Sequence, residues 1–143
     1  MINSTLGKAL GGGTGGFTVA SASVIDVLRN KCRPSLFSNS IAPTTVAASM
    51  EALTMLDDSP EILEQLRQNT AQFRSGMKAA GFNILGDDRI AICPVFIGDA
   101  RKASEMADEL MKHNIYVIGF SYPVVPKDKA RIRCQLSAAH TPE

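Results

Sequence analysis

Apolar residues in this chain recur first at three- and four-residue spacings, and the texture shifts toward strand-like segments just after Gly81. Before that point, Phe17-Thr18-Val19 reads as a short β segment behind a glycine-rich opening. Ser23 followed by Asp26 resembles a capping box leading a helix with Val24, Ile25 and Leu28 on one face, and Arg33-Pro34 stops it. A polar loop from Ser35 to Ser40 carries Leu36 and Phe37. Pro43 then opens a second helix, whose Val46, Met50, Leu53 and Leu56 recur at helical spacing. Ser59 as N-cap and Pro60 as first helical residue restart the chain. Ile62, Leu63, Leu66, Phe73, Met77 and Ala80 form an apolar stripe, interrupted by Thr70, that runs to Gly81. Glu64, Gln65, Arg67, Gln68 and Arg74 fall mostly off that stripe.

Beyond Gly81, the segments Phe82 to Leu85, Ile90 to Ile97, Ile115 to Phe120 and Arg131 to Ser137 read as strands. Asp99 caps one more helix, with Ala103, Met106, Ala107 and Leu110 turned inward. The order ββαββ predicts a small α+β layer, a sheet covered on one side by helices. The boundary falls near Ser59, dividing the chain into 1–59 and 60–143.

Composition narrows the function classes. The 143 residues suit one domain or joined pieces of two. A formal charge of +1 argues against general nucleic-acid affinity, and no run of about 18 apolar residues is long enough to span a membrane. Met1 to Ser4 show no secretory pattern. Cys32, Cys93 and Cys134 are odd in number and widely spaced, which predicts neither a disulfide framework nor a zinc site, but reduced thiols in a cytosol-like compartment. Gly7, Gly11, Gly12, Gly13, Gly15 and Gly16 crowd into the first sixteen residues. Independent domains seldom begin with their most demanding backbone segment, so the chain reads as a piece of something longer.

The same glycines frame the candidate chemistry. Gly11, Gly13 and Gly16 match G-x-G-x-x-G, but a β-like segment follows where the dinucleotide fingerprint needs a helix, and no acid lies near position 36. Gly7-Lys8 is followed by Ala9, so a phosphate-binding Walker loop fails too. Glycines beside Lys8 let the backbone press against a bulky ligand, and Thr5 offers a hydroxyl to an anion. A lysine held in such a pocket loses its proton below its free pKa of about 10.4, and a neutral amine forms a Schiff base with an aldehyde. Spacing alone favours the plainer reading, a solvated lysine in a flexible loop. Arg131 and Arg133 share one face of a period-two strand, and geometry does not choose between them.

One resemblance covers essentially the whole chain. Thr5-Leu6-Gly7-Lys8-Ala9-Leu10-Gly11-Gly12 with Gly15-Gly16-Phe17 resembles the pyridoxal-phosphate lysine segment of the α-oxoamine synthases, fold-type-I enzymes that join an amino acid to an acyl-coenzyme A. Matches continue in order through Arg33 to Ser40, Gly119 to Pro126, Ala130 to Arg133 and Ser137 to Pro142. Arg33-Pro34-Ser35-Leu36-Phe37-Ser38-Asn39-Ser40 and Tyr122-Pro123-Val124-Val125-Pro126 are most similar to the members that act on glycine and acetyl-coenzyme A.

The resemblance implies an α/β protein: the end of a fold-type-I large domain over 1–59 and a small C-terminal α+β domain, itself incomplete, over 60–143. It implies pyridoxal 5'-phosphate as cofactor, Lys8 as the residue that binds it covalently and later moves a proton, and Thr5 on its phosphate. Ser38 would reach the phosphate of the neighbouring subunit in a homodimer, and Arg133 would bind the substrate carboxylate. The implied reaction interconverts glycine plus acetyl-coenzyme A with 2-amino-3-oxobutanoate plus coenzyme A, a step of threonine breakdown. The implied setting is cytoplasmic, or mitochondrial in a eukaryote, without nucleic-acid or membrane partners. The segments that precede the lysine in the family have no counterpart here, so the isolated chain is expected to be inactive. Two alternatives stand: another α-oxoamine synthase, of the 8-amino-7-oxononanoate or 5-aminolevulinate type, and a non-catalytic dimerising fragment.

Overall fold

The computed structural model describes residues 1–11 and 13–142; Gly12, part of the glycine cluster, lies outside them. The chain divides into two compact units, Met1–Pro60 and Glu61–Glu143.

The first unit opens with an antiparallel hairpin, β1 (Ile2–Thr5) and β2 (Gly16–Val19), in the register Ile2↔Val19 to Thr5↔Gly16. The β-like reading of Phe17 to Val19 matches β2, whereas β1 has no alternation of its own and forms because β2 pairs with it. Helices α1 (Ala22–Lys31), α2 (Arg33–Leu36) and α3 (Pro43–Asp58) follow. Ser23 is inside α1 rather than capping it: the helix starts after Ser21, whose side chain makes no cap bond and contacts the Ser23 hydroxyl instead. Arg33-Pro34 ends α1 but also begins α2, because a proline at the first turn loses no helical hydrogen bond. The stripe expected on α3 is exposed at Val46, Met50 and Leu53. The inward face is Thr45, Ser49, Ala52 and Leu56, and Ser49 is buried at 4% with its hydroxyl donating to the Thr45 carbonyl.

The second unit takes most of α4 (Pro60–Ala79), then β3 (Ile92–Gly98), α5 (Ala100–Lys112), β4 (Ile118–Phe120) and β5 (Ala130–Gln135). The sheet order is β3-β5-β4, with both neighbours antiparallel to the central β5. The expected strand over Phe82 to Leu85 shrinks to one bridge, Ile84↔Val95. Ile84, Cys93, Val95 and Ile132 form the core, with Phe73, Met77, Met106 and Leu110 packed against it. The Asp99 carboxylate accepts from the Lys102 amide at 2.8 Å and caps α5, whose Ala103 is buried where Gly119 lets the strand approach.

Arg74 departs furthest from its sequence reading. It falls four residues after Thr70 on the inward side of α4 and is only 3% exposed. Its guanidinium donates to the carbonyls of Leu85, Ile90 and Ile92, fastening the 85–92 loop to the helix. Asp88 lies 3.5 Å from it and 2.9 Å from the Lys78 ammonium.

The Lys78 hydrogen bond holds the Asp88 carboxyl below its ordinary value of 3.8, and the Arg89 side chain does the same for Asp87. A carboxyl with a depressed folded pKa takes up protons on unfolding, so its contribution is present above the ordinary, unfolded value and is lost as pH falls through the folded one. The midpoint for urea unfolding of the second unit is therefore expected to hold from neutral pH to about pH 5 and to fall below about pH 4. Asp88→Asn should flatten the fall; an unchanged acid limb would refute the assignment.

Candidate functional site

The loop joining β1 to β2 is built by its main chain. The Leu6 amide donates to the Gly15 carbonyl at 3.0 Å, and the Thr5 hydroxyl donates to the same carbonyl at 3.1 Å. Leu6 is the buried anchor, 6% exposed. A Cβ on Gly7 would overlap the Gly13 carbonyl oxygen, so only glycine lets the two arms of the loop close. Gly13 and Gly15 take φ of 96° and 90°, the left-handed region that other residues seldom adopt. The Gly11 amide donates to the Lys8 carbonyl at 2.9 Å, closing a tight turn that sets the Lys8 side chain out from the loop.

Thr5 and Lys8 are thus brought onto one short loop. The Gly7 amide also donates to the Thr5 hydroxyl oxygen at 3.4 Å, which ties the base of the turn beside Lys8. Ser38 belongs to the same unit and is exposed just beyond α2, after Phe37 beneath the Arg33 guanidinium at 5.9 Å.

Arg133 belongs to the second unit. It is exposed on β5, 5.7 Å from the Phe120 ring centroid, and forms no ion pair among the described residues. With Phe73, Tyr116, Phe120, Ser137 and His140 it borders a cavity of about 800 Å³, opened where β4 and β5 stop pairing beyond Ile118↔Arg133. Tyr122 is 63% exposed in the connecting loop and does not border the cavity. Cys134 does border it, opposite the buried Cys93 across the ladder; burial raises the pKa of both thiols, and both are free.

Asn69 escaped the sequence reading. It is 6% exposed, and its side-chain amide donates to the carbonyls of Ser137 and His140, both at 2.9 Å. Gln65 donates to the Asn69 side chain, and Gln72 donates to the Pro142 carbonyl. Together they hold the loop after β5 onto α4, one wall of the Arg133 cavity. The signal was available: Asn69 follows Leu66 by three and precedes Phe73 by four, on the apolar stripe itself.

The chain belongs to the aminotransferase class I and II family, whose model matches residues 1–143. It is 55% identical over 143 residues to the 2-amino-3-ketobutyrate coenzyme A ligase of Escherichia coli K12, covering 100% of this chain and 36% of that protein. It is 54% identical to the human mitochondrial protein of the same name, covering 100% of this chain and 34% of the relative. A serine palmitoyltransferase of S. paucimobilis, solved with PLP and myriocin bound, superposes with a TM-score of 0.86 at 30% identity over 98% of this chain and 35% of that one. The chain therefore spans about a third of the length of these relatives.

Gly7→Ala is expected to open the loop, because the added methyl meets main chain that cannot step aside. Hydrogen exchange of the Leu6 amide should accelerate at least tenfold. Gly76→Ala in α4, where the methyl meets open space, should leave that amide unchanged. Equal protection of Leu6 in Gly7→Ala and the unsubstituted chain would refute the role given to the crossing.

Proposed function

We propose that this chain is the lysine-bearing part of a PLP-dependent acyltransferase that interconverts glycine plus acetyl-coenzyme A with 2-amino-3-oxobutanoate plus coenzyme A. The observation that supports the reading is the β1–β2 loop, a glycine-built turn that carries both Thr5 and Lys8. Identity to the E. coli and human ligases supports the acetyl and glycine assignment. An 8-amino-7-oxononanoate synthase of Coprothermobacter proteolyticus is more distant, at 41% over 137 residues.

The residues present fit one end of the cofactor. Lys8 supplies a primary amine for its aldehyde, and the Thr5 hydroxyl, which donates to the Gly15 carbonyl in this structure, would turn to the phosphate when the cofactor is bound. Ser38 is read as a further phosphate donor, reaching a second copy of the chain across a dimer interface. Bound there, the cofactor supplies an electron sink for a carbanion formed next to an amino group.

The remaining steps belong to the chain's own residues. With the cofactor bound, Lys8 would hold its aldehyde carbon through the side-chain amine, and the same amine, when not bonded to the cofactor, would be the base that takes the glycine Cα proton. Arg133 would hold the glycine carboxylate through two parallel N–H donors. Asn69, by holding the loop after β5, fixes one wall of the Arg133 cavity. The units Met1–Pro60 and Glu61–Glu143 are read as the end of the large domain and the small domain of the family fold. The isolated chain, a third of its relatives' length, is read as inactive alone. The human relative is mitochondrial by name, so the compartment is taken as mitochondrial in a eukaryotic host and cytoplasmic in a bacterial one.

The test is a hybrid in which this chain replaces the matching third of the E. coli ligase. The hybrid should release coenzyme A from acetyl-coenzyme A with glycine, and far less with alanine or longer acyl thioesters. Lys8→Ala should lower kcat about a thousandfold or more. Arg133→Lys should raise KM for glycine about tenfold, since lysine lacks the planar fork. A folded hybrid without activity, or one indifferent to Lys8→Ala, would overturn the reading.

A further inference from the structure

Cys93 on β3 is the cross-strand partner of Cys134 on β5, so the two thiols leave the ladder on the same face. That face is the core. Cys93 is fully buried with Val95 and Ile132, and Cys134 packs against the same cluster. Both thiols are free. The Leu136 amide donates to the Ala91 carbonyl at 3.0 Å, and the alternation of the ladder then makes Cys93 and Cys134 a hydrogen-bonded pair as well. Pro94 agrees with that phase: its carbonyl accepts from Leu85, away from β5, and its nitrogen has no hydrogen to give. The Cα atoms of such a pair stand about 5.5 Å apart, inside the range of about 4.4–6.8 Å that disulfides span.

The two thiols have different surroundings. Cys134 is half-buried and borders the cavity beside Arg133, so a small solute entering from solvent meets its sulfur first. Cys93 has no such exposure, but the Arg74 guanidinium of α4 lies beside it. Burial raises the pKa of the Cys93 thiol, Arg74 pulls it back down, and Asp88 from the 85–92 loop adds a smaller upward push. Cys134 is raised by burial first and by Cys93 second. The Nε of Arg74 is buried with no acceptor. A guanidinium N–H withdrawn from water and left unbonded is unfavourable, and negative charge forming on Cys93 eases that cost.

We propose that Cys93 and Cys134 are a redox pair: a peroxide entering through the cavity oxidises Cys134, and Cys93 then closes a reversible disulfide that displaces Arg133. In the first step the Cys134 thiolate attacks one peroxide oxygen, the O–O bond breaks and hydroxide leaves, so Cys134 becomes a sulfenic acid. The Cys93 sulfur attacks the Cys134 sulfur, the S–O bond breaks, and the hydroxyl departs as water with the Cys93 proton. Two thiols lose two electrons and two protons, and one peroxide becomes two waters. Cβ atoms in a hydrogen-bonded pair are about 5.5 Å apart, whereas a disulfide needs about 3.8 Å. Closing the bond therefore pulls β5 toward β3, and a bond closed against its ladder is readily reduced. Arg133 adjoins Cys134 on β5, so the pull reaches it directly.

The experiment treats the 143-residue chain with hydrogen peroxide, folded and in urea, then alkylates, digests and maps it by mass spectrometry. The folded chain should lose two hydrogens, join the Cys93 peptide to the Cys134 peptide, and leave Cys32 of the first unit open to alkylation. In urea the three thiols should link without that preference. Cys134→Ser should keep Cys93 as a thiol, and Cys93→Ala should stop at a Cys134 sulfenic acid that dimedone traps. The thiolate is the attacking form and burial raises both thiols, so linking should be slow at about pH 7 and faster at about pH 9. Reduced glutathione should reopen the bond. No Cys93–Cys134 link in the folded chain, the same pattern in urea, or a bond that glutathione cannot open would overturn the proposal. In the hybrid, whose activity rests on the reaction proposed above, oxidation should raise KM for glycine and reduction should restore it. Cys134→Ser should show neither change. A link that forms with KM unchanged would overturn the displacement of Arg133. A link in a hybrid without activity would sink the reaction and leave the redox pair.

Discussion

Two main-chain arms meet between β1 and β2 with no side chain separating them, and the candidate chemistry depends on that contact. Gly7 faces the Gly13 carbonyl so closely that a single methyl would not fit. With the arms closed, Leu6 is buried, Thr5 is tied to Gly15, and the turn carrying Lys8 has one course to follow. A catalytic amine must be held to within fractions of an ångström to profit from proximity. The course of this turn is set by backbone atoms, which have fewer ways to relax than side chains do.

The second unit solves a related problem with buried polar groups. Arg74 ties the 85–92 loop to α4, and Asn69 ties the loop after β5 to the same helix. Each group donates to two or more main-chain carbonyls. Between these two anchors the sheet presents Arg133 at the cavity edge. One direction of β5 stabilises the fold and the other carries its arginines, an outcome of the two-residue alternation alone.

Much of this was legible in the sequence where a local rule decides. Pro43 and Pro60 each open a helix, Gly81 ends one with φ of 87°, and Asp99 caps another, since each acts through its own backbone. The Lys8 loop was legible through its glycines. Elements that depend on partners were not: β1 exists through β2, and Phe82 to Leu85 keeps one bridge because the chain turns away to the Arg74-bound loop. Arg74 and Asn69 were read as surface or passed over because burial of a polar side chain is decided by carbonyls distant in sequence. The choice of Arg133 over Arg131 came from the family resemblance. The structure adds that Arg133 borders the cavity while Arg131 has an orphaned N–H between two rings.

The central claim is that the amine at position 8 captures the cofactor aldehyde, and one chemical mapping decides it. The E. coli hybrid carrying this chain is saturated with PLP, reduced with borohydride, digested and sequenced by mass spectrometry. The account predicts a pyridoxyl group on Lys8 at one per chain. A pyridoxyl group on any other lysine, or none at all in a folded and PLP-saturated hybrid, would contradict it.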